Sequence, residues 1–161
     1  MQKPRTLTAA KVPGVRGTPL PVPDYPGLQQ RLKRSLTEPL GLSQFGVNFT
    51  TLEPGGISTL RHWHEESDEF VYVLDGELTL VTNAGSQVLH AGAAAGYPKG
   101  AADGHQFVNR SKAPATYLEV GTRPANEVVH YPDNDLSVVC RDGVWTFTSK
   151  DGSQLFGTFP K

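Results

Sequence analysis

Residues 56–76 read GISTLRHWHEESDEFVYVLDG. His62 and His64 stand at i and i+2, and on an extended strand that spacing puts both imidazoles on one face. Glu69 follows across the acidic turn Glu65, Glu66, Ser67, Asp68, at the start of the next apolar stretch. An antiparallel return of the chain then turns its carboxylate toward the histidine pair. Imidazole and carboxylate donors with no thiolate suit Fe, Mn, Ni, Zn or Co rather than a structural zinc site. Arg61 and Trp63 alternate with the histidines, so they are expected to face away, in sheet packing or a dimer contact.

The residues on either side extend the strand pattern. Asp75-Gly76 is a turn dipeptide, and ELTLVT (77–82), NAGS (83–86) and QVLH (87–90) read as a hairpin. From residue 44 onward apolar residues recur with period two, as Phe45, Val47 and Phe49 show. Residues 57–64, 68–74, 105–109, 115–120 and 144–148 read as further strands, 91–100 as a loop with a short strand, and KDGS (150–153) as a turn. LQQRLKRSL (28–36) fits either a helical turn or a first edge strand. Residues 1–30 carry prolines at 4, 13, 19, 21, 23 and 26, which fix φ and remove donors, so this arm is expected to be extended and irregular. With 17 Gly and 13 Pro among 161 residues, the composition suits many short strands in an all-β barrel or sandwich.

The same composition excludes several classes of function. Fifteen basic residues against sixteen acidic ones give a net charge of -1, no footprint for nucleic acid or an anionic membrane. The single cysteine, Cys140, excludes an internal disulfide framework, and as an isolated thiol it reads as a small buried hydrophobe. No apolar run approaches the ~20 residues that span a bilayer. The segment MQKPRTLTAAKVPG lacks the apolar core of a secretory signal, so the cytoplasm is the expected compartment.

Gly56, His62, His64, Glu69 and Gly76 match, at every spacing, the first motif of the cupin superfamily, G-x5-H-x-H-x(3,4)-E-x6-G, which this segment resembles. Gly92, Pro98, Gly100, His105 and Asn109 resemble the second, G-x5-P-x-G-x2-H-x3-N, with four residues rather than two between Gly100 and His105. The resemblance to small single-barrel bacterial cupins implies a double-stranded β-helix, or jelly roll. Its core would run over 44–122, preceded by the Pro-rich arm and first edge strand (1–43) and followed by a C-terminal extension (123–161) packed on the barrel. It also implies one divalent transition metal (Fe, Mn, Ni or Zn) held by His62, His64, Glu69 and His105, with Asn109 as scaffold, and a homodimer. Two open coordination positions and a residual charge near +1 would then invite a carboxylate, hydroxy-ketone or enediol.

Strand parity assigns the pocket lining to Phe45, Val47, Phe49, Leu60, Val71, Val73, Phe107 and Tyr117. Tyr97 is the candidate catalytic hydroxyl. That lining is apolar and carries no cation, although Lys99 and Arg123 can reach in from loops, and this weighs against a phosphosugar. His90 and His130 fall outside both motifs and read as surface or turn residues. The expected function is a metal-dependent enzyme acting on a small oxygenated substrate by isomerase, dioxygenase or lyase chemistry. The alternatives are a ligand-binding or sensor barrel without catalysis and an enzyme of the sugar-phosphate isomerase kind.

Overall fold

The computed structural model describes residues 5–18, 25–155 and 159–160, so the prolines expected to stiffen the arm at 4, 19, 21 and 23 lie outside the described residues. In chain order the strands are β1 (Val15–Arg16), β2 (Arg31–Ser35), β3 (Phe45–Leu52), β4 (Trp63–His64), β5 (Glu69–Asp75), β6 (Glu77–Thr82), β7 (Gly85–His90), β8 (Ala94–Tyr97), β9 (Gln106–Val108), β10 (Ala115–Thr122), β11 (Glu127–Tyr131), β12 (Leu136–Arg141), β13 (Val144–Thr148) and β14 (Phe159–Pro160). One short helix, α1 (Thr37–Leu40), and two 3-10 turns complete the described elements.

A six-stranded sheet runs β1-β2-β3-β10-β5-β8, and it faces a three-stranded sheet β7-β6-β9 and a five-stranded sheet β14-β13-β12-β11-β4. Neighbouring strands pair antiparallel throughout. This is the jelly-roll barrel. Residues 28–36 prove to be both expected things in succession, a 3-10 turn over Leu28–Gln30 and then β2. Of the expected strand over 57–64, only Trp63–His64 forms a ladder, and Ile57 and His62 make isolated bridges to Val108 and His105. Gly76 turns β5 into β6 at φ +75, and a Cβ there would stand 2.8 Å from the Pro114 carbonyl oxygen, so only glycine fits.

Register sorts the inner residues of the large sheet into rows. Leu52 lies opposite Ala115; Thr50 opposite Tyr117 and then Val73; Asn48 opposite Glu119 and Val71; Gly46 opposite Gly121 and Glu69. Arg31, Lys33 and Ser35 extend the first three rows onto β2. The rows change from apolar to polar along the barrel. At the first end Leu52, Val73, Leu78, Leu80, Leu89, Phe107 and Tyr117 form a closed core with the three-stranded sheet. At the other end the large sheet and the five-stranded sheet stand apart around a cavity of about 820 Å³.

The opposite parity of the same strands faces outward. Phe45, Val47 and Phe49, expected in the pocket, lie there, next to Val120, Leu118, Phe70 and Tyr72. Phe45, Phe70, Tyr72 and Leu74 are all at least 37 % exposed. Alternation shows which residues share a face but not which face is inside. Over residues 45–49 the apolar stripe is the outer one, with Gly46 and Asn48 inside.

Candidate metal centre

The backbone itself brings the candidate ligand residues together. His62 and His105 bridge directly, with the His105 amide donating to the His62 carbonyl at 2.8 Å and the reverse bond at 3.2 Å. His64 follows on β4, Glu69 opens β5, and Tyr97 on β8 lies opposite Glu69. Three Nε2 atoms converge on one carboxylate oxygen, Glu69 Oε2: His105 at 3.0 Å, His64 at 3.5 Å and His62 at 3.6 Å. His62, Glu69 and His105 offer ligand atoms that all lie within 4.8 Å of one another. His64 reaches the same oxygen but stands outside that tightest group.

The donors fit a divalent ion by more than proximity. His62 Nδ1 lies 3.0 Å from the Leu60 carbonyl; donating there leaves the Nε2 lone pair free for a metal. Glu69 Oε2 is buried and makes no conventional hydrogen bond among the described residues, as expected of an atom reserved for an ion. Burial lowers the His62 imidazole to about 3, with the Glu69 charge opposing and the other two imidazoles assisting. It is therefore neutral, and fit to ligate, at ordinary pH. Burial alone would raise the Glu69 carboxyl, but His105, His64 and His62 together hold it far below its usual range.

The inserted loop 101–104 does not leave His105 loose. Arg61 makes a bidentate pair with Asp133, both contacts 2.7 Å, and also holds Asn83 and the Gly104 carbonyl. Arg61 is thus a clamp within the chain. Trp63 stacks on His130 with ring centres 4.1 Å apart, and His130 meets Glu65 at 2.8 Å. His90 is exposed, and Cys140 is fully buried. Asn109, fully buried, donates to the carbonyls of Leu52 and Ala113.

Tyr97 stacks on His105 at 3.6 Å between ring centres, and its hydroxyl is buried without a partner among the described residues. Burial, the Glu69 charge and Asp103 push this phenol above its ordinary range. It therefore keeps its proton at ordinary pH.

Of the expected lining residues, only Val71 and Phe107 border the large cavity. Val73 and Tyr117 belong to the closed core, and Leu60 packs with Val129, Tyr131, Leu136, Val138 and Phe147 beneath the five-stranded sheet. In their place stand Arg31, Lys33, Asn48, Glu119, Arg123 and Glu127. The expectation of a cation-free apolar pocket is thereby overturned. Lys99 meets Glu66 at 3.2 Å in the acidic turn, whereas Arg123 stands at the cavity, 2.6 Å from Glu38.

Sequence reasoning missed Glu127 altogether. This carboxylate is 2 % exposed. Its Oε2 lies 3.4 Å from His64 Nδ1 and also accepts from the Ser67 hydroxyl. Burial opposes its charge, but these two contacts and the Glu66 amide bring it down to about 2. It therefore stands behind His64 as an anion within ion-pair distance of the ring. The period-two runs EVVHY (127–131) and LSVVC (136–140) were the available signal.

A barrel of this topology with histidines and a glutamate facing its interior defines a class, and comparison with known proteins gives the same class. The Cupin domain family matches residues 48–121. The crystal structure of a sugar phosphate isomerase of the cupin superfamily from Silicibacter pomeroyi is 42% identical, covering 94% of this chain and 97% of that one, with a TM-score of 0.84. A candidate sugar phosphate isomerase from Acidithiobacillus ferrooxidans is 28% identical, with coverage of 79% and 81% and a TM-score of 0.71. The polyketide cyclase RemF from Streptomyces resistomycificus is 26% identical, with coverage of 76% and 80% and a TM-score of 0.59. Among curated proteins none matches. The chain belongs to the cupin superfamily. No helix among the described residues is long and apolar enough to cross a membrane.

Proposed function

We propose that this chain is a metal-dependent enzyme that takes a small oxygenated substrate by neighbouring oxygens and transfers a proton on it, as an isomerase does. The convergence of three imidazoles on one buried carboxylate at the wall of an 820 Å³ cavity carries the reading. His62, His64, Glu69 and His105 would hold the ion, which when bound supplies Lewis-acid polarisation of a substrate oxygen. Tyr97 donates to an oxygen that gains charge. Glu119, the cavity carboxylate paired with Lys33 at 2.5 Å and one row along the sheet from Glu69, is the acceptor for a carbon-bound proton. The similar protein from Silicibacter pomeroyi bears the name sugar phosphate isomerase, which favours proton transfer over dioxygenase or lyase chemistry.

The test is elemental analysis of the purified chain, followed by incubation with hydroxy-ketones and aldose phosphates in D2O. Metal near one equivalent and metal-dependent deuterium uptake beside the carbonyl are expected. Metal without exchange on any substrate, with a ligand tightly retained, would replace the enzyme by the ligand-binding barrel. The same reading has two copies associating through the outer face, where Phe70, Tyr72 and Leu74 form an exposed apolar row.

A further inference from the structure

Arg31 is 6 % exposed. Its Nε donates to the Gly17 carbonyl at 3.0 Å and its Nη1 to the Ser58 carbonyl. Among the described residues no carboxylate stands within ion-pair distance of it, and its Nη2 donates to none of them. The other large cations near the cavity are each matched, Lys33 by Glu119 at 2.5 Å and Arg123 by Glu38 at 2.6 Å. A buried guanidinium held, among the described residues, only by neutral carbonyls carries a desolvation cost that two such bonds offset in part.

The surroundings point to what would complete it. Arg31 lies in the Leu52 row, on the closed-core side of the Glu119 row, yet it borders the same cavity as His62 and His105. In the next row the Thr50 and Tyr117 hydroxyls are buried and short of a well-formed hydrogen bond. Among the described residues four carboxylates and three cations line the cavity, a deficit of one that a divalent ion turns into an excess of one. Among the described residues Arg31 is then the cavity cation without a carboxylate partner, at a different wall from the place an ion would take.

We propose that Arg31 is an oxyanion subsite, which takes the carboxylate or phosphate group of a substrate whose oxygens bind at the histidine–glutamate centre. The second half rests on the function proposed above; the first does not. A planar fork anchored by two of its donors presents its remaining donors in fixed geometry, the arrangement that suits an oxyanion's paired oxygens. The substrate class narrows accordingly, to acids or phosphate esters bearing a hydroxy-ketone or hydroxy-aldehyde.

The experiment uses the full chain after dialysis against a chelator, so that an added anion has no metal to bind. Inorganic phosphate and acetate are titrated while the side-chain Nε resonance of Arg31, identified by its absence from Arg31→Lys, is followed by NMR. Saturable movement of that resonance with at least one of the two anions is expected, and Arg31→Met should weaken that anion's binding about tenfold or more. An Arg31 resonance that stays fixed with both anions, or an Arg31→Met chain that binds as the wild type does, overturns the subsite and leaves Arg31 a strut between Gly17 and Ser58. Should Arg31→Met fail to fold, the wild-type resonance alone decides. Metal content is measured on the same protein before dialysis. Metal without anion binding sinks this inference only, and anion binding without metal sinks the metal reading only.

Discussion

The two ends of the barrel are built from the same strands and bury opposite kinds of surface. Along β10 the inner residues run Ala115, Tyr117, Glu119, Gly121; along β3 they run Leu52, Thr50, Asn48, Gly46; along β5 they run Val73, Val71, Glu69. The closed end stabilises the fold by excluding water from aliphatic and aromatic groups. The open end keeps charged and polar groups near a cavity, where they can meet a ligand. The difference predicts that substitutions at the two ends separate stability from chemistry.

The largest expected effect on stability lies at the closed end. Leu52, fully buried, leaves a cavity when truncated, so Leu52→Ala should lower the unfolding free energy by about 3 kcal/mol while metal stoichiometry is kept. Urea denaturation and elemental analysis on one preparation check both halves, and a Leu52→Ala chain that loses metal in proportion would mean the ends are coupled. At the open end Glu127→Gln keeps the shape of the side chain and removes the anion behind His64. Metal affinity should fall about 10- to 100-fold, as competition with a chromogenic chelator would show.

Acid should also act on the open end. His62 titrates at about 3 when folded against 6.5 ordinarily, so the unfolded chain binds that proton first and its contribution, full above pH 6.5, is lost as the pH falls toward 3. Glu127, at about 2 against 4.5, loses its contribution between those values. His64 is raised, so its contribution has the opposite sign: full below 6.5 and lost as the pH rises through its folded value. Thermal unfolding of the metal-free chain between pH 7 and 4 should show falling stability, and His62→Gln should flatten the slope between 6.5 and 4.5. The smallest effect on a single copy is expected on the outer face. Tyr72, 37 % exposed, should tolerate Tyr72→Ser within about 0.5 kcal/mol, while sedimentation shows any dimer weakened.

How much of this was legible follows the same division. The hairpin over 77–90, the outer strands and the spacing of His62, His64, Glu69 and His105 could be read because turn residues and ligand types announce themselves locally. The lining could not be read from local pattern. Phe45, Val47 and Phe49 alternate cleanly, but the alternation fits an apolar outer face as well as an apolar pocket, and the inner face here is the polar one. Tyr117 and Glu119 share a parity, so placing Tyr117 inward already implied an inward carboxylate. Arg31 sat in a segment that read equally as turn or strand, and Glu127 in a tail with no motif. Both depend on pairings that no short stretch of sequence states.

The expectations at the open end rest on one divalent ion held by the proposed ligands His62, His64, Glu69 and His105. Elemental analysis of the wild-type chain beside a folded His62→Ala/His64→Ala double variant tests it most directly. Close to one equivalent of transition metal is expected in the wild type and almost none in the variant; equal metal in both would contradict a shared site.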